Sequence, residues 1–216
     1  MHKVSIIFKS KGLSLEGILT TPTGQPSLFP AAVLCHPHPL FGGSMENNVV
    51  VSLASALCNS GIATLRFNFR GVGESEGFST QAVEEQNDVL AAMKVLQRWE
   101  GIDKNRLALV GYSFGAQVIL KGLKKYKASA ALVLVSPPLS SFKSNLQTST
   151  VKNIRVPNLF VVGECDRLVK VKDLKEQVAS IHPHQEPQVI ADADHSWNGH
   201  EEAVANCVVA FLKDIL

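Results

Sequence analysis

Two kinds of apolar pattern divide the chain. Near the N-terminus Val4, Ile6 and Phe8 alternate with polar or outward positions, and Leu13, Leu15 and Gly17 continue beyond a turn at Lys11-Gly12. That period of two predicts an antiparallel hairpin. After the turn residues Thr21-Pro22-Thr23-Gly24-Gln25-Pro26, the pattern changes to continuous apolar runs at Ala31–Cys35, Ile62–Phe69, Leu107–Val110, Ala130–Val135 and Leu159–Val162. Runs without alternation belong to strands covered on both faces. A further strand-like stretch is Pro187–Ala191. Helical periodicity fills the intervals at Asn47–Leu57, Ala82–Trp99, Val169–Ile181 and Glu201–Leu216. The alternation predicts an α/β fold: a mostly parallel central sheet opened by an antiparallel N-terminal hairpin, with helices on both faces. Pro138–Val156 is polar and serine-rich, enough for a loop and one short helix but not for a cap domain.

Composition narrows the function classes. At 216 residues, 45% of them hydrophobic, the chain is expected to fold as a single domain spanning residues 1–216 with a sizeable core. A formal net charge of +2 offers no basic face for nucleic acid. No apolar run reaches the length of a membrane span, and Ile6-Ile7-Phe8 is too short for a signal peptide. Cys35, Cys58, Cys165 and Cys207 show no C-x-x-C spacing, which fits reduced thiols in a cytoplasmic protein. The oligomeric state is not legible.

The chemistry centres on Gly111-Tyr112-Ser113-Phe114-Gly115, a G-x-S-x-G match. The apolar run Arg106–Val110 precedes it and a helix-like stretch, Ala116–Leu123, follows, which is the strand–turn–helix setting of a nucleophile elbow. A serine at the apex of such a turn is expected at φ > 0, with glycines where bulky neighbours would collide. The helix behind it aims its N-terminal amides at whatever the serine attacks.

A serine nucleophile needs a base, and the base an orienting acid. His195, on the loop Asp192-Ala193-Asp194-His195-Ser196 after the last strand-like stretch, is the favoured base over His200, while His182 and His184 flank Pro183 in an apparent exposed turn. Such loops at strand C-termini are where active-site groups of open α/β sheets gather. Asp166, just beyond the Leu159–Val162 run, is the favoured acid, with Glu164 as local rival. Asp192 and Asp194 are disfavoured as near neighbours of His195 on one loop. For the oxyanion, one donor is expected from the Phe114 amide. The other should come from the loop His36-Pro37-His38-Pro39-Leu40-Phe41-Gly42-Gly43. Proline has no N–H to give, so His38 leads and Leu40 is the reserve. A metal site on His36 and His38 lacks further ligands at suitable spacing. Gly71-Val72-Gly73-Glu74-Ser75-Glu76-Gly77 lacks the helix that must open on a dinucleotide fingerprint, so it reads as a loop on the active-site rim, which Arg70 would support by ion pairing or extend toward substrate.

G-Y-S-F-G, the H-P-H-P loop with G-G, R-F-N-F-R-G-V-G-E-S-E-G, G-E-C-D-R-L-V and A-D-H-S-W together resemble a lidless α/β-hydrolase of the dienelactone-hydrolase-like group, over nearly the whole chain and in the right order. The resemblance implies an α/β-hydrolase fold and a Ser113–Asp166–His195 triad. It departs from dienelactone hydrolase in having Ser113 where that enzyme has cysteine, and from many lipases in lacking H-G-G-G. The expectation is a serine hydrolase of carboxylesterase type acting on a small or medium ester or thioester. Leu40, Phe41 and Trp197 would be apolar pocket walls, and no metal or organic cofactor is expected. A non-catalytic binding protein on the same fold, or an acyl transferase or peptidase, is the alternative.

Overall fold

The structure, a computed structural model, describes residues 1–24, 28–143, 154 and 156–216. Eight strands form one sheet: β1 (His2–Ser10), β2 (Leu13–Thr21), β3 (Phe29–Cys35), β4 (Ala63–Phe67), β5 (Ile102–Tyr112), β6 (Ala131–Val135), β7 (Asn158–Gly163) and β8 (Gln188–Ile190). Their spatial order is β1-β2-β4-β3-β5-β6-β7-β8. β2 runs antiparallel to both β1 and β4, and every later pairing is parallel. The hairpin pairs Phe8 with Leu15 across Lys11-Gly12, as its alternation requires.

The helices are α1 (Asn48–Asn59), α2 (Glu85–Arg98), α3 (Phe114–Gly122), α4 (Ser140–Lys143), α5 (Val171–Ile181) and α6 (Glu201–Ile215). Two apolar cores lie on opposite faces of the sheet. Ala31, Val33, Leu107 and Leu109 face the core closed by α2, α3 and α5, whereas Ala32, Leu34, Ala108 and Val110 face the one closed by α1 and α6. Both faces of the central strands are dry, which is why their sequences read as unbroken apolar runs. Among the described residues, no helix is long and apolar enough to cross a membrane.

One expectation changes. Helical periodicity from Ala82 gives way to a helix that starts only at Glu85. Gln81 and Ala82 both hold left-handed backbone, at φ 56° and 66°. The buried Glu85 carboxylate turns back to accept hydrogen bonds from the Thr80 amide (2.7 Å) and from the Ser79 and Thr80 hydroxyls, so it anchors a loop. The stretch 138–156 contains the short α4, but most of it lies outside the described residues.

The chain passes from β3 out to β4 and returns to β5 on the other side of β3. That reversal opens a crevice beyond the C-terminal ends of β3 and β5, where open α/β sheets bind ligands.

Candidate active site

Ser113 stands at the tip of β5 with φ 51°, and its amide continues the sheet by donating to the Val135 carbonyl at 2.8 Å. The flanking glycines are sterically required. A Cβ on Gly111 would lie 2.5 Å from the Ala116 nitrogen, and one on Gly115 would lie 2.2 Å from the Cys35 carbonyl oxygen. Both obstacles are backbone, so neither can swing away. α3 begins at Phe114, directly behind the serine.

His195 and Asp166 arrive from two other strand ends. Ser113 Oγ lies 3.0 Å from His195 Nε2, and His195 Nδ1 lies 2.8 Å from Asp166 Oδ2. The carboxylate only accepts, so Nδ1 carries the ring proton and Nε2 is left to accept from the serine. The other Asp166 oxygen accepts from the Leu168 and Val169 amides at 2.9 and 2.8 Å. Burial pushes the Asp166 pKa up, but the His195 hydrogen bond, the Val169 amide and the nearby imidazole outweigh it and hold the group below its ordinary range. The buried Ser136 hydroxyl, at the end of β6, lies against the same carboxylate without making a well-aligned bond. The Tyr112 hydroxyl donates to the His195 carbonyl and fixes the backbone that carries the imidazole.

The rival acids are spent on the backbone. Glu164 accepts from the Asp192 amide at 3.2 Å, and Asp194 accepts from the Ser196 and Trp197 amides. His200 sits at the start of α6 with its ring turned to the Asn198 carbonyl. His182 ends α5, and neither it nor His184 lines the cleft.

In the loop after β3, His38 has extended backbone (φ −64°, ψ 127°), as its flanking prolines demand. Its Nδ1 accepts from the Leu40 amide at 3.2 Å, which occupies the reserve donor. The His38 and Phe114 amides have no acceptor among the described residues. His36 is fully buried: its Nε2 accepts from the Phe69 amide (3.1 Å) and its Nδ1 donates to the Pro37 carbonyl (2.7 Å). Its pKa is lowered to about 4, chiefly by burial and with a smaller contribution from the neighbouring His38, against the Pro37 hydrogen bond, which raises it. Both nitrogens are committed, so the His36/His38 metal reading loses its first ligand. Among the described residues no group of three or more His, Cys, Asp or Glu side chains could hold a metal ion.

A cleft of about 680 Å³ opens over Ser113 and His195. Phe41 lines it, but two other expected walls do not. Leu40 is 80% exposed, because the short 3-10 turn it sits in throws its side chain into solvent. Trp197 is 0% exposed and packs into the α1/α6 core, where its left-handed backbone (φ 61°) turns the indole beneath the loop. Apolar lining comes instead from Pro138 and Leu168, and a polar wall from Asn47, Asn48 and Asn198, none of which the sequence reading singled out. Their only signal in the sequence is polar residues adjoining the first turns of two helices. Arg70 lies away from the cleft, paired at 2.7 Å with the buried Asp88, so it supports the rim and does not reach toward substrate.

Comparison with known proteins agrees with this architecture. Residues 31–206 match the family model of the alpha/beta hydrolase domain, and the chain belongs to that family. Its fold is the α/β-hydrolase fold, with no cap domain among the described residues. It superposes on an alpha-beta serine hydrolase homologue from Coxiella burnetii with a TM-score of 0.82 and 33% identity, covering 97% of each chain. A lidless α/β serine hydrolase from Xanthomonas campestris gives a TM-score of 0.83 at 25% identity, covering all of this chain and 96% of that one. Esterase EstD of Thermotoga maritima is 30% identical over 139 residues, which are 61% of this chain and 33% of EstD.

Proposed function

We propose that this protein is a carboxylic-ester hydrolase working through an acyl-enzyme on Ser113, with residues 1–216 forming one catalytic domain. The observation that carries the reading is the unbroken relay from Ser113 through His195 to Asp166, at 3.0 and 2.8 Å. Ser113 Oγ bonds to the ester carbonyl carbon as His195 Nε2 takes its proton. The carbonyl oxygen becomes an oxyanion within reach of the Phe114 and His38 amides. The carbon–alkoxy bond then breaks, and the alcohol leaves with the proton from His195. Water repeats the sequence, releasing the acid and restoring Ser113. Asp166 stays ionised throughout and holds the imidazole in the reactive tautomer.

The similarity to EstD supports an esterase over other acyl-transfer chemistry. The cleft volume suits a small or medium acyl group. No step calls on a metal or organic cofactor. The four unpaired cysteines are consistent with a reducing cytoplasm. A fluorophosphonate probe followed by intact mass should show one adduct, mapped to Ser113 and absent from Ser113→Ala. Folded protein that stays unlabelled would replace this reading with a binding role.

A further inference from the structure

One wall of the cleft has its hydrogen-bonding polarity set from outside. The Glu201 carboxylate can only accept, and it lies 2.6 Å from Asn48 Nδ2, so the Asn48 amide cannot be turned the other way. The same Nδ2 reaches Asn198 Oδ1 at 3.3 Å, which fixes the second amide in turn. Asn47 uses its Oδ1 to accept from the Val49 amide at 3.1 Å, capping α1. All three residues line the cleft, and the amide groups these bonds leave over are the Asn47 NH2, the Asn198 NH2 and the Asn48 carbonyl oxygen: two donor groups and one acceptor. Glu201 is itself held ionised below its usual range by its own helix amide and by Asn48. Among the described residues, the cleft lining carries no Lys, Arg, Asp or Glu. Among the described residues, a carboxylate or phosphate on the substrate would meet no counter-ion on this wall, and a wholly alkyl ester would leave the amides to water instead of using them.

We propose that Asn47, Asn48 and Asn198 form a hydroxyl-recognising subsite and that the substrate is a neutral ester of a polyol, as found in acyl sugars and acyl glycerols. Such a hydroxyl donates and accepts at once, which matches the mixed set on this wall, while Phe41, Pro138 and Leu168 take the acyl chain. This rests on the ester-hydrolase reading above.

The test compares glycerol 1-butyrate and 6-O-butyryl glucose with propyl butyrate, and uses 4-nitrophenyl butyrate as a check on basal turnover. Each neutral hydrogen bond is expected to contribute a few-fold to about tenfold. Wild-type kcat/KM should favour at least one hydroxylated ester over propyl butyrate by about tenfold or more, through KM. The ester preferred tells a sugar from a glycerol source. Asn198→Leu should lower that preference several-fold, and Glu201→Gln, which frees the Asn48 amide to turn, should lower it less. A purely structural defect would reduce turnover of both esters and leave the ratio intact, so an unchanged ratio in both variants overturns the proposal. So does equal wild-type turnover of hydroxylated and plain esters while 4-nitrophenyl butyrate is cleaved, an outcome that leaves the hydrolase reading standing. No cleavage of any of the four esters sinks both.

Discussion

Lowering the pH from 7 to 5 should destabilise this protein through His36, well before any carboxylate is protonated. The imidazole titrates near 6.5 when exposed but at about 4 in the fold, because it is buried and its Nε2 is occupied by the Phe69 amide. At pH 5 the unfolded chain therefore binds a proton at His36 that the folded chain refuses. A group whose folded pKa lies below its unfolded value in this way makes stability fall as pH falls, from about 6.5 down to about 4. Integrating the linkage between those two values gives a loss of about 2 kcal/mol on going from pH 7 to pH 5. Asp166 and Glu85, whose pKa values are lowered in the fold, lose their contribution only at lower pH, so the window isolates the histidine. Urea unfolding at the two pH values measures it. His36→Gln keeps an oxygen able to accept from Phe69 and has nothing to titrate, so its own stability should be nearly flat across the window. A flat wild type, or an equal slope in His36→Gln, would refute the reasoning.

Three more outcomes are expected. Asp166→Asn should lower kcat by roughly 10⁴-fold by analogy with the serine-protease template, with Glu164→Gln costing far less; ester assays on folded variants check both. Gly115→Ala forces its Cβ to 2.2 Å from the Cys35 carbonyl oxygen, so a loss of about 1–3 kcal/mol together with most of the activity should appear in denaturation and rate measurements. Arg70→Met strands the fully buried Asp88 carboxylate, and thermal unfolding should show a loss of about 3–5 kcal/mol, which Arg70→Met combined with Asp88→Leu partly restores.

The strands and the reacting residues were legible for different reasons. Continuous runs such as Leu107–Val110 announce burial on both faces, and the structure buries those positions completely. Ser113 is marked by a local steric rule, while the placement of Asp166 and His195 follows from topology, since each comes just after a strand's C-terminal end. Trp197 shows where such reading stops. A large apolar residue near His195 looks like a pocket wall, yet a single left-handed turn sends it into the core. Asn48 and Asn198 are ordinary polar residues in sequence, and only a contact across 150 positions makes them one wall.

Backbone strain explains why the walls of the cleft are less legible than the residues that react. Apart from Lys11 in the hairpin turn, every described non-glycine residue with positive φ lies in a loop beyond the C-terminal ends of the strands: Gln81, Ala82, Ser113, Ser136, Asp192 and Trp197. Each such conformation costs about 1–3 kcal/mol and persists only where its surroundings over-determine it. Here the constraints are visible. Ser113 and Ser136 are tied into the parallel ladder through the Val135 and Val161 carbonyls, Glu164 holds the Asp192 amide, and Asp194 holds that of Trp197. Propensity rules describe unstrained backbone, so they succeed in the sheet and miss the loop side chains that form the cleft walls, while Ser113 is read from a separate steric rule. The sheet and its two dry cores hold the strained loops in place, and these loops bring Ser113, His195 and Asp166, which arrive from three strands, to hydrogen-bonding distance.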